Sequence, residues 1–142
     1  MAQTIIGSFA AIGFGALLMS CATVPDDEPP FLAIYSVPEP REGVVQVDRQ
    51  ARIEGTVEVY DSCFVIKNSA GRRDLLAVPD GSQVSWENGR WTIVGGQGQQ
   101  MFDGQKVVFG GGFSSLDASP IIGAIPSQCR TSQVAGLDVW PD

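Results

Sequence analysis

The chain has 142 residues, with 9 basic and 16 acidic side chains, no histidine and a net charge of −7. That length leaves room for one small domain, and the acidic balance without a basic stripe argues against nucleic acid or anionic lipid head groups as main partners. The lack of histidine removes the commonest general base and metal ligand.

Residues Ile5 to Met19 form an uncharged apolar run of 15 residues. This suits a secretory h-region and falls short of the ~20 residues of a spanning helix. The run closes on Leu18-Met19-Ser20-Cys21, which resembles a bacterial lipobox. The resemblance implies cleavage before Cys21, a diacylglycerol on its thiol and acylation of the new amino group. Two features depart from it: Met1 to Thr4 carry no Lys or Arg, and Met19 is bulkier than the small residue usual there. An uncleaved N-terminal anchor is the alternative, and both readings carry the rest of the chain out of the cytoplasm. Ala22 after Cys21 resembles an outer-membrane sorting signal. The expected location is therefore the outer membrane, lipid-anchored and facing the periplasm or the cell surface. Two or three acyl chains would hold the protein there durably, where one would not. The expected division is a signal peptide at 1–20, a lipid-anchored Pro-rich and acidic linker at 21–43, and a β-domain at 44–142.

With Cys21 assigned to lipid, Cys63 and Cys129 remain as an even pair. In an exported chain such a pair reads as a disulfide. No metal site is expected, because zinc needs more ligands than this pair supplies.

Between Ala22 and Arg41 five prolines and a group of acidic residues predict an extended spacer. Phe31 to Tyr35 interrupts it as an apolar island suited to an edge strand or to docking on the domain. From Val44 onward the pattern is β. Ala51 to Tyr60 alternates, with Ile53, Val57 and Val59 on one face and Glu54, Thr56 and Glu58 on the other. Asp61-Ser62 turns the chain into Cys63-Phe64-Val65-Ile66, and Asn68 to Gly71 turns it again toward Leu75 to Val78. In Val84 to Val94, Asn88-Gly89 predicts a type I′ hairpin that sets Trp86 against Trp91 and Glu87 against Arg90. Gly95 to Gln100 reads as a polar loop, Phe102 to Gln105 as a turn, and Lys106 to Phe109 as a strand ending in Gly110-Gly111-Gly112. Phe113 to Gln128 is irregular, with one helical turn at Ser115 to Ala118, and its Ile121, Ile122 and Ile125 are expected to plug one end of a barrel. Val134 to Trp140 closes the fold. Six or seven short strands predict an all-β domain, a small partly open barrel of the OB-like or SH3-like kind, with a small β-sandwich as the alternative.

Gly55-Thr56-Val57, Asp61 to Ile66, Trp86, Val107 to Gly112, Cys129 and Val139-Trp140 give the region from about 53 to 140 a resemblance to a group of small exported bacterial proteins of uncharacterised activity. That resemblance implies a compact disulfide-bonded β-domain and carries no activity.

No catalytic residue or cofactor is expected. Ser114 and Ser115 have no histidine to activate them, and Asp103 and Asp117 sit in turns, where Asp usually caps backbone. The glycine runs lack a following helix and the phosphate-loop Lys and Ser/Thr, so they read as strand bends or close approaches. Arg72 and Arg73, on a hairpin, are the candidates for an anion or partner contact against a solvated-turn alternative. Trp140 suits either a partner anchor or the last core position. The expected function is a non-enzymatic, lipid-anchored envelope protein acting as a binding or accessory subunit. Its expected partners are the membrane, through Cys21, and an envelope protein complex or peptidoglycan. The rival readings are a glycan-binding or hydrolase-inhibitor module and a structural spacer without a saturable ligand.

Overall fold

The computed structural model describes residues 27–36 and 51–142; the lipobox, Cys21 and most of the spacer lie outside the described residues. Nine strands follow one another: β1 (Ala33–Tyr35), β2 (Ala51–Tyr60), β3 (Cys63–Lys67), β4 (Arg73–Pro79), β5 (Gln83–Glu87), β6 (Arg90–Val94), β7 (Gln100–Phe102), β8 (Lys106–Ser115) and β9 (Gln133–Val139).

Five of them close into a barrel. The ring runs β4-β3-β2-β8-β9, and β9 returns to β4 in parallel register, Leu75 to Val134 and Ala77 to Gly136. This mixed, closed ring is the OB-like of the expected architectures. It is shut rather than partly open because β9 supplies the partner that the exposed edge of β4 would otherwise lack.

Inside, Ile53, Val57, Phe64, Ile66, Leu76, Val78, Val107, Phe109, Ala135 and Leu137 make the core. The period of two along β2 explains their placement, with Ile53 and Val57 inward and the exposed Glu54 outward. Strands β3 and β4 break that alternation. Cys63 to Ile66 and Leu75 to Val78 are buried at every position. A second cluster forms on their outer side from Ala33, Cys63, Val65, Leu75, Ala77, Cys129 and Val134. Both faces of these two strands are covered, which is why their sequences are continuous apolar runs.

The outer cover is a strap, residues 116–132, between β8 and β9. Leu116, Ile121 and Ile125 pack onto the second cluster. Ile121 and Ile125 therefore roof the side of the barrel rather than plug its end, and Ile122 is exposed. The reason is the disulfide: Cys63 and Cys129, with Cα atoms 5.6 Å apart, draw the strap across β3. The amide of Ile122 donates to the Ile34 carbonyl at 2.7 Å, and the amide of Leu75 donates to Thr131 Oγ1 at 3.0 Å. The Phe31 to Tyr35 island takes the edge-strand option. β1 lies parallel to β4, Ala33 opposite Ala77, and Phe31 bridges to Cys63.

The end plug comes instead from the small sheet β5-β6-β7, whose Ile93 and Met101 enter the barrel core. The expected hairpin is present. Asn88 and Gly89 have φ of 50° and 76°, and Trp86 meets Trp91 edge-on with ring centroids 5.0 Å apart. The Gly95 to Gln100 segment is shorter as a loop than its composition suggests, since Gln100 already pairs with Val94. Strand β8 does not stop at Gly110. It continues to Ser115 through a bulge at Gly110/Gly111, and a Cβ on Gly111 would sit 2.0 Å from the Gly136 carbonyl oxygen. Glycine is needed there for close backbone approach, not for termination.

Candidate functional site

Three surfaces bear on function, and the fold decides which of them is open. The outer face of β3 and β4, where OB-like barrels hold extended ligands, is the one roofed by the strap and β1. In this chain that face is interior.

The second surface is the base of the β3–β4 hairpin, where Arg72 and Arg73 leave opposite sides of an extended segment. Arg73 points outward across the sheet. Its Nε donates to Glu58 Oε2 at 2.6 Å, and its guanidinium lies 4.1 Å from the centre of the Tyr60 ring. Lys67 Nζ stands 3.9 Å from the other oxygen of Glu58. The hydrogen bond from Arg73 is the main cause holding the Glu58 carboxyl below its ordinary range, against a smaller opposing effect of burial; the same bond raises Arg73. Arg72 turns toward the barrel end and donates through Nε and a terminal nitrogen to Asp74 Oδ2, at 3.2 and 3.0 Å. Thus both arginines already hold an internal carboxylate, and the hairpin carries one more cation than anion among Glu58, Lys67, Arg72, Arg73 and Asp74. An arriving anion would have to compete with Glu58 and Asp74.

The third surface is the outer side of β2, β8 and β9. A groove of about 630 Å³ lies there, lined by Arg52, Val108, Gly110, Val139, Trp140 and Pro141 among others. Val108 and Val139 are exposed apolar side chains on it. Trp140 is half-buried and belongs to both surroundings: it packs against the barrel core, and its ring covers Gly95 so closely that a Cβ there would fall 2.6 Å from it. The groove thus combines the anchored Trp140 ring and the apolar Val108 and Val139 with the charged Arg52, Asp138 and Asp142.

Of the remaining polar candidates, Asp103 serves the backbone. Asp103 Oδ1 accepts from the amide of Val59 at 2.9 Å, fixing the β7–β8 turn against β2. Ser114 and Ser119 share a hydrogen bond of 2.6 Å, and Asp117 is exposed in the 3-10 turn Leu116–Ala118. The sequence reading missed Asp74, which is almost fully buried, and the exposed Phe113 near Arg72. The signal available for Asp74 was its spacing: in a strand, residues 72 and 74 share a face. No protein-family model matches the sequence, and no curated protein or solved structure matches it either.

Proposed function

We propose that this chain is an exported, lipid-anchored envelope protein, held at the outer membrane through Cys21, whose barrel acts as a non-enzymatic binding or accessory subunit. The observation that supports it is the buried Cys63–Cys129 bridge. Disulfides persist in oxidising compartments, and this one accounts for two of the three cysteines, leaving Cys21 of the Leu18–Cys21 signal as the thiol for lipid. A partner would dock on the β2, β8 and β9 face, since the strap covers the side that other OB-like barrels use.

The test is metabolic labelling with an alkyne fatty acid, followed by mild-detergent pull-down of the full chain from membranes. The wild type is expected to carry label and a stoichiometric envelope partner. Cys21→Ala should lose the label, and Val139→Glu should keep the label and lose the partner. Fatty-acid label retained in Cys21→Ala, or an unlabelled wild type, would overturn the anchor; a partner unaffected by Val139→Glu would overturn the docking face.

A further inference from the structure

Where β4 begins and β8 ends, at the barrel end opposite the small sheet, Asp74 is 1% exposed. Its Oδ2 accepts both hydrogen bonds from Arg72, whereas its buried Oδ1 has no hydrogen-bond partner among the described residues. The cause is the two-residue spacing. Arg72 is the residue just before β4 and Asp74 the second residue in it, so the arginine reaches along its own backbone and both nitrogens fall on one oxygen. A guanidinium arriving from another chain could approach in a fork-to-fork pairing that uses both. The half-exposed Arg72 side chain caps this carboxylate, and the Phe113 ring, 43% exposed, lies beside Arg72. The Arg72 guanidinium carbon is 6.0 Å from the ring centre, at the outer limit of cation–π contact. Arg73 lies closer to Tyr60, at 4.1 Å.

We propose that this barrel end is a cation-binding site in which Arg72 is an exchangeable internal occupant, and that its ligand is the guanidinium of an arginine on a partner protein. Three features carry the assignment: a buried carboxylate with one oxygen unused, an aromatic face only loosely engaged, and an occupant whose side chain is half exposed to solvent. Arginine fits better than lysine because a planar fork can meet both carboxylate oxygens while stacking on Phe113. The site is independent of lipid on Cys21 and of the β2, β8 and β9 groove, so it can stand or fall alone.

The probe is L-argininamide, titrated into the full chain while the side-chain signals of Arg72 Nε and the Phe113 ring are followed by NMR. Wild type is expected to show saturable shifts of both in the millimolar range. Removing the internal competitor with Arg72→Ala should tighten argininamide by about tenfold, because the apparent affinity rises with the fraction of open site. In that background Asp74→Asn should abolish binding and Phe113→Ala should weaken it severalfold. Should Arg72→Ala not fold alone, its recovery on refolding is the readout: saturable rescue by argininamide but not by tetramethylammonium supports the site, and no rescue overturns it. Equal affinity of wild type and Arg72→Ala, or binding that survives Asp74→Asn, also overturns it.

Discussion

Replacing both Cys63 and Cys129 with Ala tests whether strap and barrel are one cooperative unit. The bridge closes a loop across a sequence separation of 66, and chain entropy alone assigns such a closure about 4 kcal/mol at 25 °C. Against a total of roughly 5–15 kcal/mol for a domain, that is a large share. The bridge also sits inside the second apolar cluster, with both cysteines 1% exposed, so alanine keeps the site apolar where serine would bury a hydroxyl. With a urea m-value near 2 kcal/mol/M, the midpoint should fall by roughly 2 M. The assay is urea unfolding followed by tryptophan fluorescence, run beside amide exchange at Leu75, whose N–H is held by Thr131. If the strap is integral, both probes weaken together. A midpoint shift below about 0.5 M, or rapid exchange at Leu75 with an unchanged global transition, would refute the reasoning: the strap would then be a separable flap whose closure contributes little to the barrel.

Gly111→Ala forces a Cβ to within 2.0 Å of a backbone oxygen that cannot rotate away; the loss should reach the upper end of the roughly 1–3 kcal/mol typical of overpacking, measured by thermal unfolding. Gly89→Ala places a Cβ at φ 76° and should cost about 1–2 kcal/mol, while Trp86→Leu should forfeit about 0.5–1.5 kcal/mol beyond lost area and remove the near-ultraviolet dichroism of the Trp86–Trp91 pair. Glu58 predicts a pH dependence. Its carboxyl is held below its ordinary value of 4.5 in the folded chain, so the unfolded chain takes up the proton first; the contribution of Glu58 is whole above 4.5 and is lost as pH falls through the lower folded value. Glu58→Gln should flatten that part of the stability profile, and an unchanged acid limb in the variant would remove Glu58 as its source.

Strand positions, the hairpin and the cysteine pairing were legible because each rests on local chemistry: alternation in Ala51 to Tyr60, two positive φ values at Asn88-Gly89, and parity after Cys21. The placement of Ile121 and Ile125 was not. An apolar residue in an irregular segment announces burial without saying against what; the Cys63–Cys129 bridge and the register of β9 on β4 together decide that the strap crosses β3. The decisive hint was present in Cys63 to Ile66 and Leu75 to Val78, whose unbroken apolar runs mean strands covered on two sides. Gly110 to Gly112 mark a bulge and a close approach, as their composition suggests, but that the strand runs on to Ser115 was not legible, because a bulge inside a long strand and a strand end share a composition. Arg72 and Arg73 stood out as the only adjacent basic pair, yet what each does was hidden. Glu58 lies on β2, across β3 from Arg73, so that ion pair belongs to tertiary structure; Asp74 is only two residues from Arg72, but in sequence it looks like any turn acid and nothing announces its burial.

The parallel seam between β4 and β9 also governs when the molecule can come into being. Leu75 waits for Val134, and Cys63 for Cys129, so a chain emerging from its amino end has its meander early and no ring until β9 is out. Until then β4 presents an open edge and the cluster around Val65 and Leu75 lacks its roof. Non-local pairing of this kind slows folding and prolongs exposure of apolar surface. Under the export proposed above, that delay would be useful, because the ring could not lock before the chain had been threaded through.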